Sequence, residues 1–344
     1  MQRPITIPLV REAVLEPFIQ AAELIGTPVK PILQSVGLPA QLTGDAELLL
    51  PELPCWQFAQ KVARQEAMST FGLFAATTLP HQDIASLSPL IGGCINLLEL
   101  LKRFCDIAPT QSNINEYVLR EEKDLVWLEQ RGSRLLAEDV QVQLFEVMGM
   151  TQLVQLAAGQ QWYPPEIHLT VEHHADIENS EELGFSRILF TQRYPAIAIP
   201  RRLLPLPLPT LGTRAAPPSM PDTFVGTLRE AITSYLGNTD PKIELLAQVM
   251  DINVRTLQRR LAQQNLSYSC VLDQSRLMKA ESLLENADIK LLEISLMLGF
   301  SDAASFTRAF RRWAGVSPRE YRRQRLGTEH SQKHYLASKH QPTD

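Results

Sequence analysis

The sequence predicts an α+β N-terminal domain, helices plus a small mixed or antiparallel sheet. It predicts that this domain is joined to an all-α C-terminal domain with two helix-turn-helix units linked by a long helix. Three observations carry this. Residues 200–221 hold seven prolines in 22 positions; proline lacks an N–H and is fixed in φ, so the stretch suits neither a helix interior nor a central strand. Before it, apolar spacing switches between the helical period and strict alternation, as in a mixed fold. After it, the spacing is helical throughout, and two segments share one helix–turn–helix plan. The expected organisation is 1–204 for the α+β domain, 205–221 for a semi-stiff linker, 222–326 for the helical domain and 327–344 for a polar, aperiodic, disordered tail.

Each element has its own local reason. Residues 11–25 are apolar at near-helical spacing. In 51–68, Trp56, Phe58, Val62 and Ala63 oppose Gln60, Lys61, Arg64 and Gln65. Residues 94–107 carry the leucine spacing of a packed helix. Residues 113–120 and 124–131 then alternate, through Ile114, Tyr117 and Leu119 and through Leu125 and Trp127, and predict a hairpin closed by a charged turn. Asp139 is placed to cap a long amphipathic helix that runs to residue 158. Short strands are expected at 167–171, 188–191 and 196–199. Beyond the prolines, helices are expected over 223–236, 243–250, 254–264, 268–286, 292–298, 302–314 and 318–325. Gly237-Asn238, residues 251–253, Asn265, Gly299 and Gly315 punctuate them.

Charge is divided between the two parts. The 344-residue chain has 33 Lys and Arg against 38 Asp and Glu, a net charge of -5. From residue 242 onward there are 16 basic against 11 acidic residues; before it there are 17 against 27. The basic part suits a polyanion and the acidic part does not, which argues against non-specific nucleic-acid binding by the whole molecule. The four cysteines are far apart and form no CxxC pair, so packing thiols are expected. No apolar run reaches the ~18–20 residues that cross a bilayer, and the N-terminus lacks the apolar stretch of a secretory signal. The expectation is a cytoplasmic protein with no membrane partner.

The paired segments are IELLAQVMDINVRTLQRRLAQQ and LLEISLMLGFSDAASFTRAFRRWAG. In each, a short apolar helix ends at a turn and a second helix follows, with Asn253 and Ser301 or Asp302 as caps. Gly299 supplies the positive φ of a helix end. Leu257 aligns with Phe306, 49 positions later, and Arg259 with Arg308. Leu257 and Leu261 turn inward, leaving Arg255, Gln258, Arg259 and Arg260 outward. Phe306, Phe310 and Trp313 turn inward, leaving Ala303, Ala304, Thr307, Arg308, Arg311 and Arg312 outward. Such faces suit double-stranded DNA. Guanidinium groups hold phosphates, Arg and Gln pair with guanine and adenine edges in the major groove, and alanine permits close approach to a thymine methyl. A connecting helix of ~16–18 residues spans roughly 24–27 Å, so the two reading helices can lie about one DNA turn, ~34 Å, apart. Arg311 and Arg322 are read either as phosphate contacts or as surface ion-pair partners.

Residues 242–323 resemble the DNA-binding domain of the AraC/XylS family of transcription regulators. The resemblance rests on LAQVMDINVRTLQRRL, on RLMKA from Arg276, and on ISLMLGFSDAASFTRAFRRWAGVSPREYR. It implies that Arg255, Gln258 and Arg259, with Ala303, Ala304, Thr307 and Arg308, face bases or nearby backbone. Asn253 stands where serine is usual, one cap for another. Ser295-Leu296 replaces a frequent alanine, which should alter packing rather than contacts. The first two hundred residues resemble the arabinose-binding-like sensor domain of a subgroup of these regulators, through PILQSVGLPAQLTGDAELLLP, FGLFAATTLP and FTQRYPAIAIPRRLLPLPLP. These motifs are mostly apolar and imply a fold without naming a ligand. The resemblance implies a transcription regulator, an activator in the commoner mode, with a small-molecule effector, RNA polymerase and a second copy as partners.

Other classes have little to stand on. No GxSxG, HExxH, P-loop or GxGxxG after a strand occurs, so no catalytic residues and no cofactor are expected. His173 and His174 adjoin Glu172 and Asp176, but neighbouring side chains on extended chain point apart; His330 and His334 fall in the tail, and no metal site is expected. A ligand-free protein-interaction role for the first domain stays open, as does, more remotely, an enzyme joined to the reader.

Overall fold

The computed structural model describes residues 6–78, 92–132, 139–209, 219–238 and 241–325. Contacts divide the chain into two units, Met1–Asp222 and Thr223–Asp344. The expected tail lies outside the described residues, as do positions 210–218 of the expected linker.

The first unit is a mixed fold of helices and a sheet. It opens with β1 (Leu9–Arg11) and α1 (Glu12–Leu24), followed by α2 (Val29–Ser35), β2 (Leu49–Pro51), α3 (Glu52–Gln65) and α4 (Phe71–Thr78). Strands β1 and β2 pair antiparallel, so α1 and α3 start at opposite ends of the two-stranded ribbon. The helical half packs around Leu15, Phe18, Trp56, Phe58 and Phe71, all buried. Next come α5 (Leu97–Ile107), β3 (Tyr117–Glu122), β4 (Leu125–Gln130), α6 (Val140–Ala158), β5 (Glu166–His168), α7 (Ala175–Glu178), β6 (Arg187–Leu189) and β7 (Ala196–Pro200). The five strands form one sheet in the order β3-β4-β7-β5-β6, antiparallel except for the β5–β6 pair.

Helix α6 was expected to be amphipathic and is instead buried on most sides. Val142 enters the helical core, while Leu144, Val147, Leu153 and Val154 enter the core shared with the sheet. A helix between two layers needs apolar residues all round. Its buried amides are satisfied individually: Gln141 Oε1 accepts from Gly72 N at 2.8 Å, and Gln143 Nε2 donates to Thr170 Oγ1 at 2.7 Å. Gly72 is required there, because a Cβ would stand 2.0 Å from the Gln141 carbonyl oxygen. Asp139 caps α6 as expected, accepting from Gln141 N and Val142 N. Burial raises its carboxyl to about 6 against those hydrogen bonds.

The hairpin turns at Lys123, whose φ is 52°. Its register pairs Leu119 with Leu128 and Arg120 with Trp127. Tyr117, Leu119 and Leu128 therefore face the helices, and Trp127 stands on the opposite face with Ala196 and Ala198. Two small residues on β7 make room for the indole, and Arg120 and His168 lie against its ring at 5.4 and 4.3 Å.

The proline-rich stretch is not wholly a connector. Leu97 N and Leu98 N, at the start of α5, donate to the carbonyls of Leu206 and Leu204, and Leu208 N donates to Ile95 O. Positions 205–208 of the expected linker are thus bonded to the first unit. Proline cannot donate, but its neighbours' carbonyls satisfy the open N–H groups of a helix start.

The second unit is helical throughout its described residues: α8 (Phe224–Tyr235), α9 (Ile243–Val249), α10 (Val254–Ala262), α11 (Tyr268–Glu285), α12 (Leu291–Met297), α13 (Ala303–Ala314) and a last helix, α14, over 318–325. Leu228, Ile232, Leu257, Val271, Ala280, Leu284, Phe306 and Phe310 are fully buried. Side-chain caps start α8 at Thr223, α10 at Asn253, α11 at Ser267 and α13 at Asp302. Ser317 and Glu320 bond reciprocally at the start of α14, a capping box. At Asn253, Oδ1 accepts from Thr256 N at 2.7 Å. Asn253→Ala is expected to lower the stability of the second unit by about 1 kcal/mol, while Asn253→Ser stays within a few tenths. Chemical denaturation followed by circular dichroism reads the difference.

Candidate nucleic-acid interface

Helix α9 ends in a turn at Asp251 and α12 in a turn at Gly299, with φ of 50° and 79°. Both turns close with the same long bond: Ile252 N donates to Ala247 O, and Phe300 N to Ser295 O. The residues of positive φ are 48 apart and the caps 49 apart, so the second turn is longer by one residue. Gly299 bears the left-handed conformation at no steric cost, and aspartate tolerates it in the first pair.

The second helices present matching stripes. On α10, Arg255, Gln258, Arg259 and Ala262 are exposed at three- and four-residue spacing. Asn253 and Thr256 join them around a shallow depression. On α13 the aligned positions are Ala304, Thr307, Arg308 and Arg311, exposed except for Thr307, which is half-buried. Ala303 is half-buried one residue before the stripe. Thr307 Oγ1 donates to the Ala303 carbonyl at 2.7 Å. Arg308 Nη2 donates to Ser305 Oγ at 3.0 Å. Asp302 accepts from Ser305 N, and that bond holds its carboxyl at about 2, so it stays ionised where the helix dipole favours an anion.

Besides Ala303, two of the ten expected site residues stand apart from these stripes. Arg260 is half-buried, its guanidinium 5.3 Å from the centre of the Phe224 ring. It aligns with Ala309, a buried position, and so faces the core side of its helix. Arg312 pairs with Asp273 on α11 at 3.0 Å. Arg322, left open between phosphate and ion-pair readings, bonds main chain instead: its Nε and Nη2 donate to the carbonyls of Leu284 and Ile289. It ties the end of α11 to the following turn.

A ring cluster holds α13 in place. Phe300, Phe306, Phe310 and Tyr321 meet in sequence at centroid separations of 5.8, 5.7 and 5.4 Å. Arg276 on α11 donates to the Leu298 carbonyl and stacks on Phe300, bracing the second turn. Ser295 is buried and bonded to the Leu292 carbonyl. Leu296 is half exposed, so the expected change in packing applies to Ser295 alone. Among the described residues no group of histidine, cysteine and carboxylate side chains could hold a metal. His173 pairs with Glu178 at 2.8 Å, and His330 and His334 lie outside the described residues. All four cysteines are free. No described helix is long and apolar enough to cross a membrane.

The sequence reading missed Asn253, Thr256 and Ala262 as neighbours of the exposed arginines. Their spacing from Arg255 and Arg259 was the available signal. It also passed over a cavity in the first unit, which brings together residues distant in the chain.

Residues 246–324 match the family model described as helix-turn-helix domain. Residues 26–208, a little over half of the chain, match that of the arabinose-binding domain of AraC transcription regulator, N-terminal. The chain is 39% identical over 101 residues to the HTH-type transcriptional regulator VqsM of Pseudomonas aeruginosa, covering 28% of this chain and 31% of that one. It is 38% identical over 85 residues to the HTH-type transcriptional activator RhaS of Escherichia coli, covering 24% and 31%. The chain thus spans about a third of the length of these curated relatives. The transcriptional regulator CdpR of P. aeruginosa aligns over 91% of this chain and 98% of its own at 19% identity, with a TM-score of 0.38. With both matched regions present on one chain, each on its own compact unit, the protein belongs to the AraC family of transcription regulators.

Proposed function

We propose that this chain is a sequence-specific, double-stranded-DNA-binding regulator whose second unit carries two helix-turn-helix units. In this reading α10 and α13 enter successive major-groove segments of one duplex. Arg255, Gln258, Arg259, Ala304, Thr307 and Arg308 face base edges, and Ala303 permits close approach. Arg311 reaches phosphate, with Arg312 and Arg260 at the margin. The observation that carries the proposal is the repeated stripe, the same helix face exposed at a 49-residue offset behind matching turns. The connecting helix α11 has 18 residues, about 27 Å of rise, which suits helices set about one DNA turn apart.

The protein acts in the cytoplasm as an activator that engages RNA polymerase, and has no enzymatic role. Its first unit governs the second through a small-molecule effector or through pairing of two copies. The cavity in the first unit favours an effector over a ligand-free interaction module.

Selection from a random duplex pool by the full chain is expected to return two short conserved blocks with centres about 10–11 base pairs apart. Affinity should fall steeply with salt, through released counterions. A single block, or equal affinity for all sequences, overturns the two-groove reading.

A further inference from the structure

We propose that the cavity of the first unit binds a small organic cation, an apolar body carrying a protonated amine, with the ammonium seated on Glu146. The proposal deepens the effector reading above and rests on it for its consequence, not for the binding itself. The cavity, of about 510 Å³, lies between α1, α5, α6 and β3. Phe104, Ile107, Phe145, Met150 and Leu153 give it apolar walls. Among the described residues, the titratable groups lining it are Glu12, Glu16, Glu146 and Tyr117; no described lysine, arginine or histidine lines it. An anionic ligand would be buried there without a counter-charge, which is prohibitive.

The three carboxyls are not equivalent. Glu12 accepts from Gly44 N at 2.6 Å with one oxygen and from Thr43 N and Oγ1 with the other. Glu16 accepts from Gln20 Nε2 at 2.8 Å. Glu146 accepts from Asn115 Nδ2 at 3.2 Å through Oε1, while Oε2, sealed from bulk solvent, has no partner among the described residues. A buried acceptor without a donor is costly; a turn of the carboxyl that brings this oxygen to the cavity wall lets a ligand N–H repair it.

Gly149 stands three residues on, on the same face of α6. Glycine weakens a helix interior relative to alanine, yet a Cβ at Gly149 would meet nothing within 4 Å. Packing does not demand glycine there; its absent side chain is part of the cavity's volume.

Among the described residues, the titratable groups that share the cavity wall with Glu146 are Glu12 and Glu16 from α1 and Tyr117 on β3, and Glu52 on α3 acts on it electrostatically; none of these is basic. Burial pushes the Glu146 carboxyl up to about 8, so near pH 7 it holds its proton while the cavity is empty. When an ammonium binds, that proton leaves to solvent and the carboxylate pairs with the cation. Amine affinity therefore rises as pH climbs from 6 towards 7.5, by up to about tenfold per unit for one released proton.

The test titrates the full chain, without DNA, by calorimetry and thermal shift. The probes are tryptamine, tryptophol and indole-3-acetate, with octylamine, octanol and octanoate as a second matched set. At least one amine is expected to bind at least tenfold tighter than its alcohol and to tighten with pH, while the carboxylates do not bind. Glu146→Gln mimics the protonated acid and should remove the amine preference. Gly149→Leu fills the cavity and should abolish binding while the chain stays folded, which keeps the test decisive if the first variant folds poorly. Equal affinity across a matched set, no pH dependence, no amine binding at millimolar concentration, or unchanged amine binding in both variants overturns the proposal. Adding the bound amine to a duplex titration tests control separately: unchanged DNA affinity removes affinity-based control and leaves the site standing.

Discussion

Arg259→Ala and Arg308→Ala are each expected to weaken binding of the full chain to its preferred duplex by about 1–3 kcal/mol, roughly 5- to 150-fold. Both side chains are exposed at the same place on their helices, and a guanidinium fork fits the two acceptors on a guanine edge, Arg308 exchanging its exposed bond to Ser305 for the base. Each loss should relax preference at one base pair, in the block read by its own helix. The two sites share no contact, so the double variant should lose about the sum, ~2–6 kcal/mol. Arg260→Ala and Arg312→Ala should cost less binding, because these groups are already engaged with Phe224 and Asp273. Competition titrations against duplexes altered at single positions provide the measurement. A loss equal across all sequences, with a salt slope reduced by about one, would instead assign Arg259 and Arg308 to phosphate.

Glu52→Gln is expected to stabilise the first unit at neutral pH. Glu52 is 1% exposed at the start of α3, where its carboxyl accepts from Trp56 Nε1 and from Ser112 Oγ. Burial pushes it up to about 8, against those two hydrogen bonds and with a further push from Glu146. A carboxyl with a raised folded pKa keeps its proton in the folded chain and sheds it on unfolding. Unfolding therefore gains as pH climbs from about 4.5 to about 8. By pH 7 the cost is at most about 3 kcal/mol, at about 1.4 kcal/mol per unit. Glutamine keeps an acceptor for Trp56 and Ser112 and never ionises. Calorimetric melting between pH 5 and pH 8 should show the wild type losing stability as pH rises and Glu52→Gln losing less, with the two alike at pH 5. An unchanged slope would mean that Glu52 ionises without penalty.

Helices over 52–65 and 97–107, and the hairpin, were legible because their periods are regular; the helix over 140–158 was legible through its length and its Asp139 cap. Helix α4 was not, since FGLFAATT is apolar on every side and has no period to read. Strands β1 and β2 are three residues each and exist through each other, so no local pattern announces them. In the second unit every expected helix is present, because all but α9 carry a cap residue or a glycine turn next to their apolar stripe, and α9 is closed by the positive-φ turn at Asp251. The inward or outward aspect of Arg260 was not legible. It depends on Phe224, 36 residues earlier, reaching over from α8.

The sequence by itself determined where the helices of the second unit run and the 49-residue register between α10 and α13, since caps, turn residues and apolar period act within a few residues of one another. Only the tertiary structure decided which arginines remain free, where the proline-rich stretch stops being a connector, and that Glu146, Asn115 and Gly149 meet around a cavity. Those outcomes depend on burial and on hydrogen bonds between residues far apart in the chain. Desolvation acts on what surrounds a group in space, which its neighbours in sequence do not fix.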